Sequence, residues 1–137
     1  MVGPPRSTLE AKSLETDVDL GVWHITRDRV SQYLDSVDDG SQEYFQHGLA
    51  PPLALCAYTL AALLEKLNLP PGAIHSLQEM ETIRPLPIGE KVRATARVER
   101  PRRRGNLEFI TISYRLENSQ GLPVQAGKTT VLVTGAS

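Results

Sequence analysis

The apolar positions fall into two regimes. Before residue 68 they recur at helical spacing or form one dense block; beyond residue 73 they alternate with polar residues. Val30, Tyr33, Leu34 and Val37 recur at i, i+3, i+4 and i+7, which predicts a short amphipathic helix ending near Asp38. Thr26 stands before it as an N-cap, because its hydroxyl can accept a hydrogen bond from a free amide of the first turn. Asp39-Gly40-Ser41 breaks the pattern, and Gln42 to Gly48 is ambiguous: a loop, with one helical turn as the alternative. Pro51 and Pro52 then open a run rich in Ala and Leu, Leu53 to Leu64, with no charge until Glu65. Proline suits the first helical positions, whose amides lack an intrahelical partner. A helix that is apolar almost all round is a buried one, and this one ends at Asn68, Pro70, Pro71 and Gly72.

Everything after it is strand-like. Ala73 to Ile83 is a mixed run, broken by Arg84-Pro85-Leu86-Pro87 and the turn Ile88-Gly89-Glu90. Val92, Ala94, Ala96 and Val98 alternate with polar neighbours, as do Ile110, Ile112, Tyr114 and Leu116. Pro101 to Asn106 reads as a basic turn and Asn118 to Gly121 as a hairpin turn, with a last strand over Val124 to Thr134. Leu20 to Ile25, which holds the one tryptophan, reads as a first strand. The expected plan is α+β: a short helix, a buried helix, and three or four long antiparallel strands curled around the latter.

Composition narrows the class. The 137 residues predict one domain, with a polar lead-in over 1–19 and the folded unit over 20–137. The lead-in lacks the apolar stretch of a signal peptide and is expected to be mostly flexible, with docking of its last residues as the alternative. No run is long enough for a membrane span. Fifteen basic against sixteen acidic residues exclude a globally basic nucleic-acid binder. The single cysteine, Cys56, excludes an internal disulfide framework and a cysteine-based zinc site, and the chain reads as cytoplasmic. Inside the apolar helix Cys56 behaves as a small hydrophobe. His24 and His75 have no second ligand at metal spacing, so no metal is expected.

Three stretches carry a family resemblance: His47-Gly48-Leu49-Ala50-Pro51-Pro52-Leu53, leading into the buried helix; Arg84-Pro85-Leu86-Pro87-Ile88-Gly89-Glu90-Lys91-Val92, turning into a long strand; and the hairpin from Tyr114 to Val133. Together they resemble the MaoC-like dehydratase group of the hot-dog fold, which includes R-specific enoyl-CoA hydratases and the dehydratase domains of type I fatty-acid synthases. Glu90 stands where that group usually has Asp. The resemblance implies an antiparallel sheet wrapped around a central helix. It also implies a thioester ligand on CoA or an acyl carrier protein, no separate cofactor, and no nucleic-acid or membrane partner. It implies a homodimer or higher homo-oligomer, with sheets joined edge to edge, or a heterodimer with a second MaoC-like chain.

The resemblance also implies site residues. Amides at a helix N-terminus can stabilise the negative charge that builds on a thioester oxygen. Gly48 and Leu49 are placed to do so, with Tyr44 and Ala50 beside the ligand; a structural turn is the plain alternative for Gly48. Hydratases of the group carry an Asp-x-Asn-Pro-x-His loop whose Asp and His form an acid–base pair. The matching stretch here is Val37 to Tyr44: the His position falls on Tyr44 or Glu43, and Asn-Pro is absent. Asp38 or Asp39 with His47 forms a variant site, or these residues are only turn and loop formers. Arg102, Arg103 and Arg104, with Arg100, suit phosphate or an acidic carrier surface, unless they are simply a solvated hairpin tip. Glu65, at the far end of the helix, reads as solvated. The expected activity is a lyase reaction, reversible addition of water to an enoyl thioester. The alternatives are a hot-dog thioesterase and a non-catalytic acyl-binding subunit that pairs with a catalytic partner.

Overall fold

The computed structural model describes residues 16–37, 42–68 and 74–134. Its elements in chain order are β1 (Thr16–His24), α1 (Arg27–Ser36), α2 (Gln42–Gln46), α3 (Pro52–Leu67), β2 (Ile74–Thr82), β3 (Lys91–Val98), β4 (Arg102–Arg104), β5 (Leu107–Glu117) and β6 (Pro123–Thr134). The strands form one antiparallel sheet in the order β1-β3-β5-β6-β2, with β4 paired to β5. The sheet wraps α3, which is the expected hot-dog arrangement.

Local chemistry accounts for most boundaries. Thr26 caps α1 by accepting from the Arg29 amide at 3.1 Å. Pro51, at φ −62°, precedes α3, and Pro52 occupies its first turn. Asn68 ends α3 in the left-handed region, at φ 50°, with its N–H returned to the Leu64 carbonyl. Ala54, Leu55, Cys56, Thr59, Leu63 and Leu67 of α3 are buried. Thr59 escapes an unsatisfied hydroxyl by donating to the Leu55 carbonyl at 2.7 Å. Against them lie Val92, Ala94, Ala96 and Val98 of β3 and Ile110, Ile112, Tyr114 and Leu116 of β5, the inward sets expected from alternation. Each fully buried Leu or Ile contributes about 1.5–3 kcal/mol relative to exposure, so this layer dominates stability.

Two elements depart from expectation. β1 begins at Thr16, so residues 16–19 of the expected lead-in pair with β3. A bulge between Asp19 and Gly21 shifts its register, which leaves Val22 half exposed and turns Trp23 to the core. The basic turn is a ribbon: Arg102, Arg103 and Arg104 pair with Phe109, Glu108 and Leu107. The segment from Gln42 to Gly48 takes the helical alternative, with the five-residue helix α2.

Candidate functional site

The connection from β2 to β3 builds the site. Leu86 is buried, its carbonyl accepts from the Ala50 amide at 2.8 Å, and Pro87 forms a β-bridge with Leu49. Ile88 N–H donates to the Gly48 carbonyl at 2.8 Å. One residue on, Gly89 N–H donates to the Ile25 carbonyl, and His24 Nε2 donates to the Gly89 carbonyl at 2.9 Å. His24 is thus a structural histidine. Residues 84–90 therefore pin the chain that leads into α3 against the end of β1.

Where these segments meet, a slot of about 120 Å³ opens beside the start of α3. Tyr44, Leu49, Ala50, Pro52 and Leu55 line one side, and Thr82, Arg84, Pro85 and Leu86 line the other. Its surface is mostly apolar. Tyr44 (43% exposed), Thr82 and Pro85 form the rim, while Ala50, Leu55 and Leu86 are buried and close the floor. Arg84 is fixed at the edge, its Nε donating to the Pro123 carbonyl at 2.9 Å.

Behind the slot runs a buried polar chain. Tyr114 Oη donates to Gln125 Oε1 at 2.7 Å, and Gln125 Nε2 donates to the Pro52 carbonyl at 3.0 Å. Tyr114 is 3% exposed and Gln125 fully buried. The Cys56 thiol is hydrogen-bonded to the Tyr114 hydroxyl; burial pushes this thiol up from its ordinary value, and the bond pulls it part of the way back. Burial, then the neighbouring thiol, pushes the Tyr114 phenol up as well. Both groups are therefore neutral donors and acceptors at neutral pH. The Tyr114 ring lies over Gly127, where a Cβ would come within 2.7 Å of Tyr114 Oη and closer still to the ring carbons. Tyr114 stood in an apolar alternation and Gln125 on the last strand; only their cross-strand register reveals that they meet.

Of the residues expected at the site, Tyr44, Leu49 and Ala50 come together in the slot. Gly48 adopts φ +71°, a left-handed conformation that favours glycine, with open space where a Cβ would point. Its N–H donates to the Phe45 carbonyl at 3.0 Å, and the Leu49 N–H donates to the Tyr44 carbonyl at 2.9 Å. Both amides are thus engaged inside the turn. Leu53 carries the first amide of α3 without an internal acceptor among the described residues. His47 is exposed, and its imidazole has no hydrogen-bond partner among the described residues. Asp38 and Asp39 lie outside the described residues.

Arg102, Arg103 and Arg104 lie elsewhere. They flank a concavity with Phe109, Thr111, Lys128 and Thr130. These four alternate with inward residues of β5 and β6, so the concavity is on the sheet face away from α3. Along β5, Phe109 and Leu116 (the residue opposite Gln125) are seven residues apart, about 24 Å. Within one chain the arginines and the slot are separate. Glu65 is exposed in an open groove with Trp23, Arg29 and Tyr58. Among the described residues no cluster of His, Cys, Asp or Glu could hold a metal ion, and no helix is long and apolar enough to cross a membrane.

No protein-family model matches the chain, and no curated protein matches it in sequence. Solved structures do match. The MaoC-like dehydratase from Rhodospirillum rubrum superposes with a TM-score of 0.73 at 18% identity, over 94% of this chain and 97% of that one. The R-hydratase PhaJ1 from Pseudomonas aeruginosa gives 0.73 at 16%, over 95% and 86%. The HadBC (3R-hydroxyacyl-ACP dehydratase) complex from Mycobacterium tuberculosis gives 0.67 at 14%, over 88% and 96%. The chain has the hot-dog fold, in the form taken by MaoC-like dehydratases and R-hydratases.

Proposed function

We propose that this chain binds an acyl thioester with its acyl group in the slot beside α3, and that it belongs to a MaoC-like dehydratase or hydratase. The observation that carries this reading is the slot itself. It is mostly apolar, has a buried floor and the start of α3 beside it, and lies on a scaffold shared with dehydratases. A thioester carbonyl at its mouth lies near the free amide of Leu53, where the helix dipole favours the negative charge of an enolate-like transition state. Gly48 and Leu49 can add donors only if their turn bonds open. His47 handles the proton, paired with Asp38 or Asp39. A neutral imidazole is the most versatile acid or base near pH 7. CoA or an acyl carrier protein brings the thioester, and no further cofactor takes part.

The chain works as an oligomer in this reading. Among the described residues β2 is an edge strand, paired on one side only, with β6. Leu53, Ala57, Leu60 and Leu64 follow at i, i+4, i+7 and i+11 along one flank of α3, with Leu53 47% and Leu64 41% exposed. That flank is turned away from the groove formed with Trp23 and Arg29. A second hot-dog chain covers both features at once.

A second reading is favoured by one observation: over Val37 to Tyr44 the Asn-Pro pair is absent and the His position falls on Tyr44 or Glu43. In that case the chain holds the acyl group and a partner chain supplies the dyad. Crotonyl-CoA separates the readings. Loss of the enoyl absorbance without thiol release supports the lyase. Thiol release identifies a thioesterase. Binding without either supports the acyl-holding subunit, and absence of both binding and reaction refutes the proposal.

A further inference from the structure

We propose that the slot sets an upper limit of about four carbons on the acyl chain. The inference rests on the thioester reading above and concerns the same site. An apolar cavity of about 150 Å³ just holds benzene. The slot encloses about 120 Å³, space for four to five carbon atoms. Its floor is blind. Leu55 and Leu86 are each 2% exposed and belong to the main core. A longer chain has to displace one of them, and close-packed cores resist such insertion. Two rim residues are fixed in place. Arg84 is tied to the Pro123 carbonyl, and Thr82 is held in β2 opposite Gln125.

The limit follows from side chains that the sequence separates widely. Ala50 lies two residues before α3, Leu55 is in its first turn, and Leu86 comes from the β2–β3 connection, held against Ala50 by the 2.8 Å backbone bond. Leu55 is therefore the specificity-determining residue. Truncating it removes three carbons from the floor and lengthens the slot by that amount.

Titration calorimetry of the intact protein with free CoA and acetyl-, butyryl-, hexanoyl- and octanoyl-CoA tests this. Each methylene that enters the slot raises affinity about fourfold. Affinity is expected to climb about fifteenfold from acetyl to butyryl, and then to level off or fall. The Leu55→Ala variant, if it folds, moves the break to hexanoyl or beyond. The wild-type series stands without it. Equal affinity for acetyl and butyryl, or a steady climb to octanoyl, overturns the length limit and leaves thioester recognition in place. If no ester binds better than free CoA, the thioester reading falls and this inference with it.

Discussion

Replacing Gln125 by Leu breaks the buried chain that anchors the start of α3, and its cost can be worked from the contacts. Two hydrogen bonds are lost, to Tyr114 at 2.7 Å and to Pro52 at 3.0 Å. The Tyr114 hydroxyl, 3% exposed, keeps only the weak thiol of Cys56. Leaving a buried hydroxyl under-satisfied costs about 1–3 kcal/mol. The Pro52 carbonyl loses its side-chain donor, for about 1 kcal/mol more. The expected destabilisation is about 2–4 kcal/mol. Tyr114→Phe strands the Gln125 Oε1 instead and costs about 1–3 kcal/mol. The double variant removes both unsatisfied groups together. Its cost therefore falls short of the sum by about 1–3 kcal/mol, the coupling typical of residues in one network. Urea unfolding at fixed protein concentration measures all four corners of the cycle. Additive losses, or single losses below about 0.5 kcal/mol, would refute the network as a structural anchor.

Three further outcomes follow from the same geometry. Gly127→Ala drives a Cβ into the Tyr114 ring and is expected to cost about 1–3 kcal/mol in denaturant unfolding, with most of the loss recovered in a Tyr114→Leu background. Cys56 and Tyr114 are both raised above their ordinary values of 9.0 and 10.0. Their contribution to stability is therefore complete below about pH 9 and fades as pH rises past it, because the unfolded chain loses these protons first. A Cys56→Ala/Tyr114→Phe variant flattens that alkaline slope. His47→Gln and Asp39→Asn each lower enoyl-CoA hydration at least tenfold, with His47→Gln shifting stability by less than about 0.5 kcal/mol at its exposed position. Full activity in both would remove the acid–base assignment.

Much of the fold is legible in single residues. Pro51 and Pro52 mark where α3 begins, Thr26 marks α1, and strict alternation marks β3 and β5. Alternation failed where a bulge changes its phase. The pattern of β1 is legible only from Leu20 because the register shifts between Asp19 and Gly21, and β2 reads as a mixed run because its register shifts between Leu77 and Glu79. β4 gave no signal at all, since Arg102, Arg103 and Arg104 are all exposed and charged. The candidate site is half legible. Tyr44, Leu49 and Ala50 lie close in sequence to the helix start, in and beside the stretch that carries the family resemblance. Thr82, Arg84 and Leu86 reach the slot only through the bridge of Leu49 with Pro87, and Gln125 only through its register with Thr82 and Leu116. Such contacts are set by pairing between strands distant in sequence, which periodicity within one segment does not encode. The arginines illustrate the converse: their chemistry was plain in the sequence, but their position on the far face of the sheet was not.

The central claim is that the slot beside α3 receives an acyl group. Ala50→Leu tests it most directly, because the added carbons project into the slot from its floor. Calorimetric titration of butyryl-CoA, with thermal unfolding to confirm that the variant is folded, is the measurement. The expected result is at least a tenfold loss of butyryl-CoA affinity with binding of free CoA unchanged. Equal butyryl-CoA affinity in the folded variant and the wild type would contradict the account.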